Sequence, residues 1–191
     1  MGPDGVDQLA PLSAMFSQIY AISRPERVLM LGCGTGNGLE HIDPATTRSV
    51  VAVDIHAEYL GVARSRHAHL EGILQTICAR AEDCRFDPGS FDLVHGGLFF
   101  EYVDPRPMVM TLADWLAAGG MLGAVVQLPS ASQASVSPSR FASIALLKDA
   151  MRLVAPDQFE GAALDAGLRL VRRWIRRVAH GKAFTGMIFR R

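Results

Sequence analysis

The sequence predicts an α/β protein: a doubly wound, mostly parallel sheet of seven strands, with an antiparallel strand near its C-terminal end. Three observations carry this reading. Residues 28–38, VLMLGCGTGNG, run four β-prone apolar residues into alternating glycines, Gly32, Gly34 and Gly36. A second apolar run, SVVAVD, ends on an acid, Asp54, eighteen residues after Gly36. From there strand-like runs alternate with helix-like ones, the pattern of βαβ units and a parallel sheet. The last two strand-like runs are separated only by about residues 180–182, too short for a crossover, so they pair antiparallel.

Taken in order, Leu9, Leu12, Phe16 and Ile19 recur at helical spacing and predict an amphipathic helix over residues 6–22. Residues 28–31 form the first strand, and residues 50–64 hold the second strand with its following helix. Residues 79–94 hold the exit of the third strand, a Pro-Gly turn and the fourth strand. Pro105 and Pro107 open another helix, with Val109, Leu112 and Leu116 inside and Gly119 as its stop. The fifth strand follows in residues 115–129, and residues 129–139 form a small-residue loop at the carboxyl edge of the sheet. Phe141, Ile144, Leu147, Met151 and Val154 mark a further helix. Asp157 and Glu160 make a capping box for a short helix ending near Gly167. The closing pair of strands completes the chain.

A strand that stops at alternating glycines builds a loop whose backbone approaches something closely or needs positive φ. Followed by an acid at the next strand end, that loop suits a ribose-bearing cofactor. A carboxylate with two acceptor oxygens matches a cis-diol. On this view, removing Asp54 costs ligand affinity and leaves the apo protein's stability nearly unchanged. A dinucleotide fingerprint needs a third glycine, and its place falls on Asn37 or Leu39. A pyrophosphate seat, and with it a nicotinamide-dependent reductase, is therefore disfavoured.

The glycine string resembles motif I of the class I S-adenosylmethionine-dependent methyltransferases, and the later segments follow in that family's order over about residues 26–191. The resemblance implies S-adenosylmethionine as cofactor, held by Gly32, Cys33, Gly34, Gly36, Asp54, Ile55, Ala81, Glu82, Gly96 and Gly97, with no metal. Asp54 takes the ribose; Ile55, with Tyr59, lies beside the adenine. Three departures stand out. The family sets an acid where Met30 stands, against the cofactor's ammonium. It sets another where Arg80 stands, near the adenine amino group, and its Pro-Gly-Gly turn is here Ala118-Gly119-Gly120. Losing the first two contacts costs about 1–3 kcal/mol each. They motivate the alternative of a catalytically degenerate binding or interaction protein with the same fold.

Near the carboxyl edge, His95, Glu101, Tyr102 and His180 are the candidate proton handlers. Phe99 and Phe100 either add an apolar wall or belong to the core. The segment after the fourth strand lacks Asn-Pro-Pro-Tyr, which argues against methylation of DNA amines or glutamine. The acceptor expected is a small or carrier-bound molecule. Arg169, Arg172, Arg173, Arg176, Arg177, Lys182, Arg190 and Arg191 crowd the C-terminus of a chain with net charge +0. No RNA module accompanies them, so they read as a solvated edge that discourages strand pairing, and nucleic acid is not an expected partner.

Composition sets the frame. At 191 residues, 49% apolar and 20% charged, the chain suits one globular domain, residues 1–191. Within it, residues 1–25 form a helical cap on a cofactor-binding core of residues 26–191. No apolar run approaches the ~20 residues of a membrane helix, and the first residues lack a basic, then apolar, leader. Met-Gly opens like a myristoylation site, but residue 6 is Val. Cys33, Cys78 and Cys84 stand in no metal-ligand spacing and read as reduced thiols of a cytoplasmic protein, monomer or homodimer.

Overall fold

The computed structural model describes residues 8–129, 152–178 and 182–191. Seven strands form one sheet: β1 (Arg27–Leu31), β2 (Ser49–Asp54), β3 (Leu74–Cys78), β4 (Phe91–Gly97), β5 (Leu116–Gln127), β6 (Arg169–Arg177) and β7 (Ala183–Arg190). Their spatial order is β3-β2-β1-β4-β5-β7-β6. β1 to β5 pair in parallel, while β7 runs antiparallel to both β5 and β6. Chain direction along the sheet therefore reverses between β1 and β4, where open α/β sheets leave a crevice at the carboxyl ends of the strands.

Both faces of the sheet are covered, as buried parallel strands require. α3 (Pro105–Trp115) and α4 (Pro156–Asp165) cover one face, where Leu29, Leu31, Val94, Phe100, Leu112, Phe159 and Phe189 interdigitate. The other face packs Val28, Met30, Leu93, Val125 and Ile188 against Met15, Phe16 and Ile19 of α1 (Leu9–Ser23), with Leu60 of α2 (Ala57–Arg66) further along. The helix expected to start at residue 6 is thus present from Leu9. Its first apolar residue, Leu9, is 49% exposed, because the buried stripe begins one turn later. No helix among the described residues is long and apolar enough to cross a membrane.

Three local expectations are corrected. First, Asp157 and Glu160 form no capping box. α4 starts at Pro156 with Ala155 before it, and both carboxylates instead hold Arg173 of β6, at 2.6 and 3.0 Å. Second, α3 does not run to Gly119. It stops at Trp115 because Leu116 is already extended, buried and paired with Phe91. Residues 117–120 then bulge before pairing resumes between Leu93 and Met121, which accommodates Gly119 at φ 78°. Third, Lys182 is not part of a solvated basic run: it is 2% exposed, and burial pushes its amine below the usual range. The arginines of β6 do lie along an exposed edge of the sheet, where Arg172 stacks 5.5 Å over the Trp174 ring. His180, most of the 129–139 loop and most of the helix marked by Phe141 to Val154 lie outside the described residues.

Trp174 lies flat on Gly186 of β7, where an added Cβ would come within 2.5 Å of its ring. Gly186→Ala is expected to lower stability by about 1–3 kcal/mol through overpacking. Urea unfolding followed by tryptophan fluorescence measures the loss.

Candidate cofactor site

The glycine loop leaves β1 at the crevice. Gly32, Gly34, Gly36 and Gly38 all have positive φ, at 59°, 53°, 82° and 105°. Two of them show what the loop needs. At Gly36 an added Cβ would come within 2.8 Å of the His67 ring, so the backbone approaches α2's end as no other residue allows. At Gly34 an added Cβ would meet nothing within 4 Å; there the demand is conformational.

Asp54 fixes this loop. Its Oδ2 accepts the Gly34 N–H at 2.8 Å and its Oδ1 accepts the His56 N–H at 2.9 Å. Beside it, Cys33 N–H donates to the Val53 carbonyl at 3.1 Å. The carboxylate expected to face a ligand is therefore also a structural clamp. Each oxygen keeps acceptor capacity for a ribose hydroxyl, since a carboxylate oxygen takes two hydrogen bonds.

No α-helix follows the loop. Residues 32–48 contain a single 3₁₀ turn, Leu39–His41, before β2 begins. α1, which packs over β4 and β5, reaches across to cover this segment. Asn37 Nδ2 donates to the Leu9 carbonyl at 3.1 Å, Ser13 Oγ donates to Glu40 Oε1, and Phe16 packs where a Cβ on Gly38 would stand. Asn37, which breaks the dinucleotide spacing, thus ties the loop to its covering helix.

Between α1, the loop and the ends of β4 and β5 lies a cleft of about 180 Å³. Leu9, Leu12, Phe16, Met30 and Val125 form its apolar walls, and Gly32, Cys33, Gly34, Gly97 and His95 its polar side. A larger, shallow depression of about 610 Å³ lies at the amino ends of the strands. Four of its five charged side chains are paired, Arg27 with Asp92 at 2.8 Å and Arg48 with Glu26 at 3.0 Å, and Arg24 completes the set.

Of the candidate proton handlers, His95 alone among the described ones lines the cleft. It is 5% exposed, its ring centroid is 4.9 Å from that of Phe16, and burial lowers its pKa to about 4. Cys33 shares the cleft as an inert thiol, pushed up to about 12 by burial first and by the charge of Asp54 second. Glu101 sits elsewhere. It is 1% exposed, and its Oε1 accepts the Gln127 N–H at 2.7 Å at the end of β5. Its backbone carbonyl accepts the Arg152 N–H at 2.8 Å. Oε2 has no partner, and burial raises the carboxyl to about 7. Tyr102 is 36% exposed, and Phe99 and Phe100 belong to the core. Leu98, between Gly97 and that aromatic pair, has φ 56° and donates its N–H to the Val125 carbonyl at 2.8 Å. A left-handed leucine costs about 1–2 kcal/mol, and no sequence signal marked it.

The remaining predicted residues lie outside the enclosed cleft, at the same edge. Ile55 is 52% exposed just past β2, an apolar surface available to a planar ring. Ala81 is buried in the turn after β3, and Glu82 pairs with Arg80 at 2.8 Å, offsetting the cation at the family's acid position. Gly96 faces away: a Cβ there would meet Phe100 at 2.8 Å, so its missing side chain makes room for the core.

The chain is similar to several known proteins. The family model described as a methyltransferase domain matches residues 28–120, from the start of the glycine strand into β5. An uncharacterised methyltransferase of Mycobacterium tuberculosis is 33% identical over 129 residues, 64% of this chain and 44% of that protein. The chain thus spans less than half the length of that curated relative. An S-adenosylmethionine-dependent methyltransferase structure from Mesorhizobium loti superposes with TM-score 0.72 at 17% identity, over 93% of this chain and 96% of that one. Geranyl diphosphate C-methyltransferase from Streptomyces coelicolor A3(2) was solved with Mg2+, geranyl diphosphate and S-adenosyl-L-homocysteine. It superposes with TM-score 0.72 at 13% identity, over 93% of this chain and 77% of that one. At these identities the structural likeness is one of fold.

Two outcomes test the assignments of single carboxyls. Asp54→Ala removes acceptors from two backbone N–H groups, so the apo protein itself is expected to lose about 2–4 kcal/mol, contrary to the purely ligand-facing role read from sequence. Chemical denaturation without ligand measures it. Glu101 has a folded pKa raised above its unfolded value, so its protonated form is the one the fold favours. Its contribution is complete below the unfolded value and is lost as pH rises through about 7. Glu101→Gln keeps an acceptor for Gln127 N–H and is expected to gain stability over the parent at pH 8 but not at pH 4.5. Urea unfolding of both proteins at the two pH values reads the difference.

Proposed function

We propose that this chain, whose residues 28–120 match the methyltransferase domain model, is a class I S-adenosylmethionine-dependent methyltransferase that transfers a methyl group to a small or carrier-bound acceptor. The observation that carries the reading is the positive-φ glycine loop, clamped by Asp54, that walls a cleft closed by α1. The residues fit the cofactor. Gly34 leaves open space on the loop, Asp54 keeps acceptor capacity for a diol, exposed Ile55 offers a ring contact, and His95 presents a polar group to the cleft.

When bound, S-adenosylmethionine supplies a methyl group already activated on a sulfonium, so transfer depends mainly on placement and on exclusion of water. The chain's own residues provide both. Asp54 sets the loop before ligand arrives, so ordering it costs nothing at binding. Leu12 and Phe16 close the cleft from α1 with apolar carbon, while Leu9 at the rim is half exposed and offers an acceptor an apolar contact. His95 stays neutral at physiological pH and adds no positive charge against a cationic cofactor.

Titration calorimetry on the full chain tests the reading. S-adenosylhomocysteine is expected to bind at about micromolar Kd or tighter, and NAD(H) to give no heat. Heat from NAD(H) with none from S-adenosylhomocysteine overturns the cofactor. Turnover with methyl-labelled S-adenosylmethionine across phenol, amine and thioester-carrier acceptors then separates a transferase from a binding protein.

A further inference from the structure

The cleft holds a buried imidazole in a niche built for it. His95 on β4 is the direct parallel partner of Met30 on β1, so the two side chains stand side by side on one face of the sheet. Two glycines flank the ring. A Cβ on Gly123 of β5 would come within 3.2 Å of Nδ1, and one on Gly97 within 3.3 Å of Nε2. Phe16 of α1 closes against the ring from the remaining side. Nδ1 is buried and turned to the Gly123 backbone, so Nε2, beside Gly97, is the ring nitrogen left to a ligand.

The rest of the lining makes this group matter. No carboxylate and no Lys or Arg lines the cleft, and its other titratable group, the Cys33 thiol, stays protonated. Met30 offers only a thioether, a weak acceptor. Two side chains of the glycine loop, Thr35 and Asn37, also bring acceptor oxygens to the lining. Thr35 Oγ1 already accepts from Arg66 and the Asn37 amide is tied to the Leu9 carbonyl, so His95 is the acceptor that the sheet itself presents to an ammonium. A neutral imidazole has one donor and one acceptor nitrogen, and burial keeps His95 in that form.

We propose that the His95 imidazole, in place of a carboxylate, accepts the hydrogen bond from the ammonium at the amino-acid end of the bound cofactor. The geometry assigns acceptance to Nε2, beside cleft-lining Gly97, with the proton on Nδ1 toward Gly123. This rests on the cofactor reading above and explains how the chain dispenses with an acid at position 30. It makes His95 a recognition residue for the cofactor's tail and not a base for the acceptor.

The test uses two probes sharing one nucleoside thioether: S-adenosylhomocysteine, which carries the amino-acid end, and 5′-methylthioadenosine, which lacks it. Calorimetry on the full chain is run for the parent, His95→Phe and His95→Gln. His95→Phe is expected to weaken S-adenosylhomocysteine about tenfold or more while leaving 5′-methylthioadenosine within about twofold. His95→Gln, which keeps an acceptor, recovers part of the loss. A parallel loss for both probes makes His95 a packing residue and overturns the proposal, as does unchanged S-adenosylhomocysteine affinity in His95→Phe. A parent that binds neither probe refutes the cofactor reading itself, and this inference with it.

Discussion

The site depends on one carboxylate. Asp54 ends β2, yet its two oxygens hold backbone N–H groups of two separate segments, Gly34 in the loop after β1 and His56 at the entry to α2. A loop with four positive-φ glycines has little intrinsic preference for one shape, because glycine loses more conformational freedom on folding than any other residue. Charge-assisted hydrogen bonds to the backbone offset that loss and choose the shape. With the loop held, the cleft wall, the seat of α1 and the approach to β4 follow. A second consequence is economy. Pinned by Asp54 and tied to α1 through Asn37, the loop needs no α-helix behind it, and one 3₁₀ turn carries the chain to β2.

Burial acts on two of the interior titratable groups at this edge with opposite signs and one outcome. Low polarisability penalises whichever form is charged, so the His95 pKa falls to about 4 and the Glu101 pKa rises to about 7. His95 faces α1 and the cleft, while Glu101 braces the exit of β4 against the end of β5 and receives Arg152 on its carbonyl. One lines the cleft; the other fixes the frame around it.

Much of this was legible in the chain. The strand running into alternating glycines, the acid ending the next strand and the short gap before the last strand are local signals, and each maps onto a local structure. What was missed shares one cause: the deciding partner is remote in sequence. The spacing of Asp157 and Glu160 satisfies a capping box, but Arg173 on a neighbouring strand outbids the helix's own N–H groups. Gly119 looks like a helix stop, but pairing with Phe91 ends the helix at Trp115. Lys182 reads as one of a basic run until the sheet buries it.

By itself, then, the sequence determined the order of strands and helices, the glycine loop and the identity of Asp54 as its acid. Periodicity and backbone freedom are properties of neighbouring residues. Only the tertiary structure decided that Asp54 clamps the loop, that α1 covers it, and that Met30 and His95 are neighbours. Register between strands is set by packing across the whole sheet. No window of sequence contains both sides of the β1–β4 pairing, and that pairing sets the His95 imidazole beside Met30.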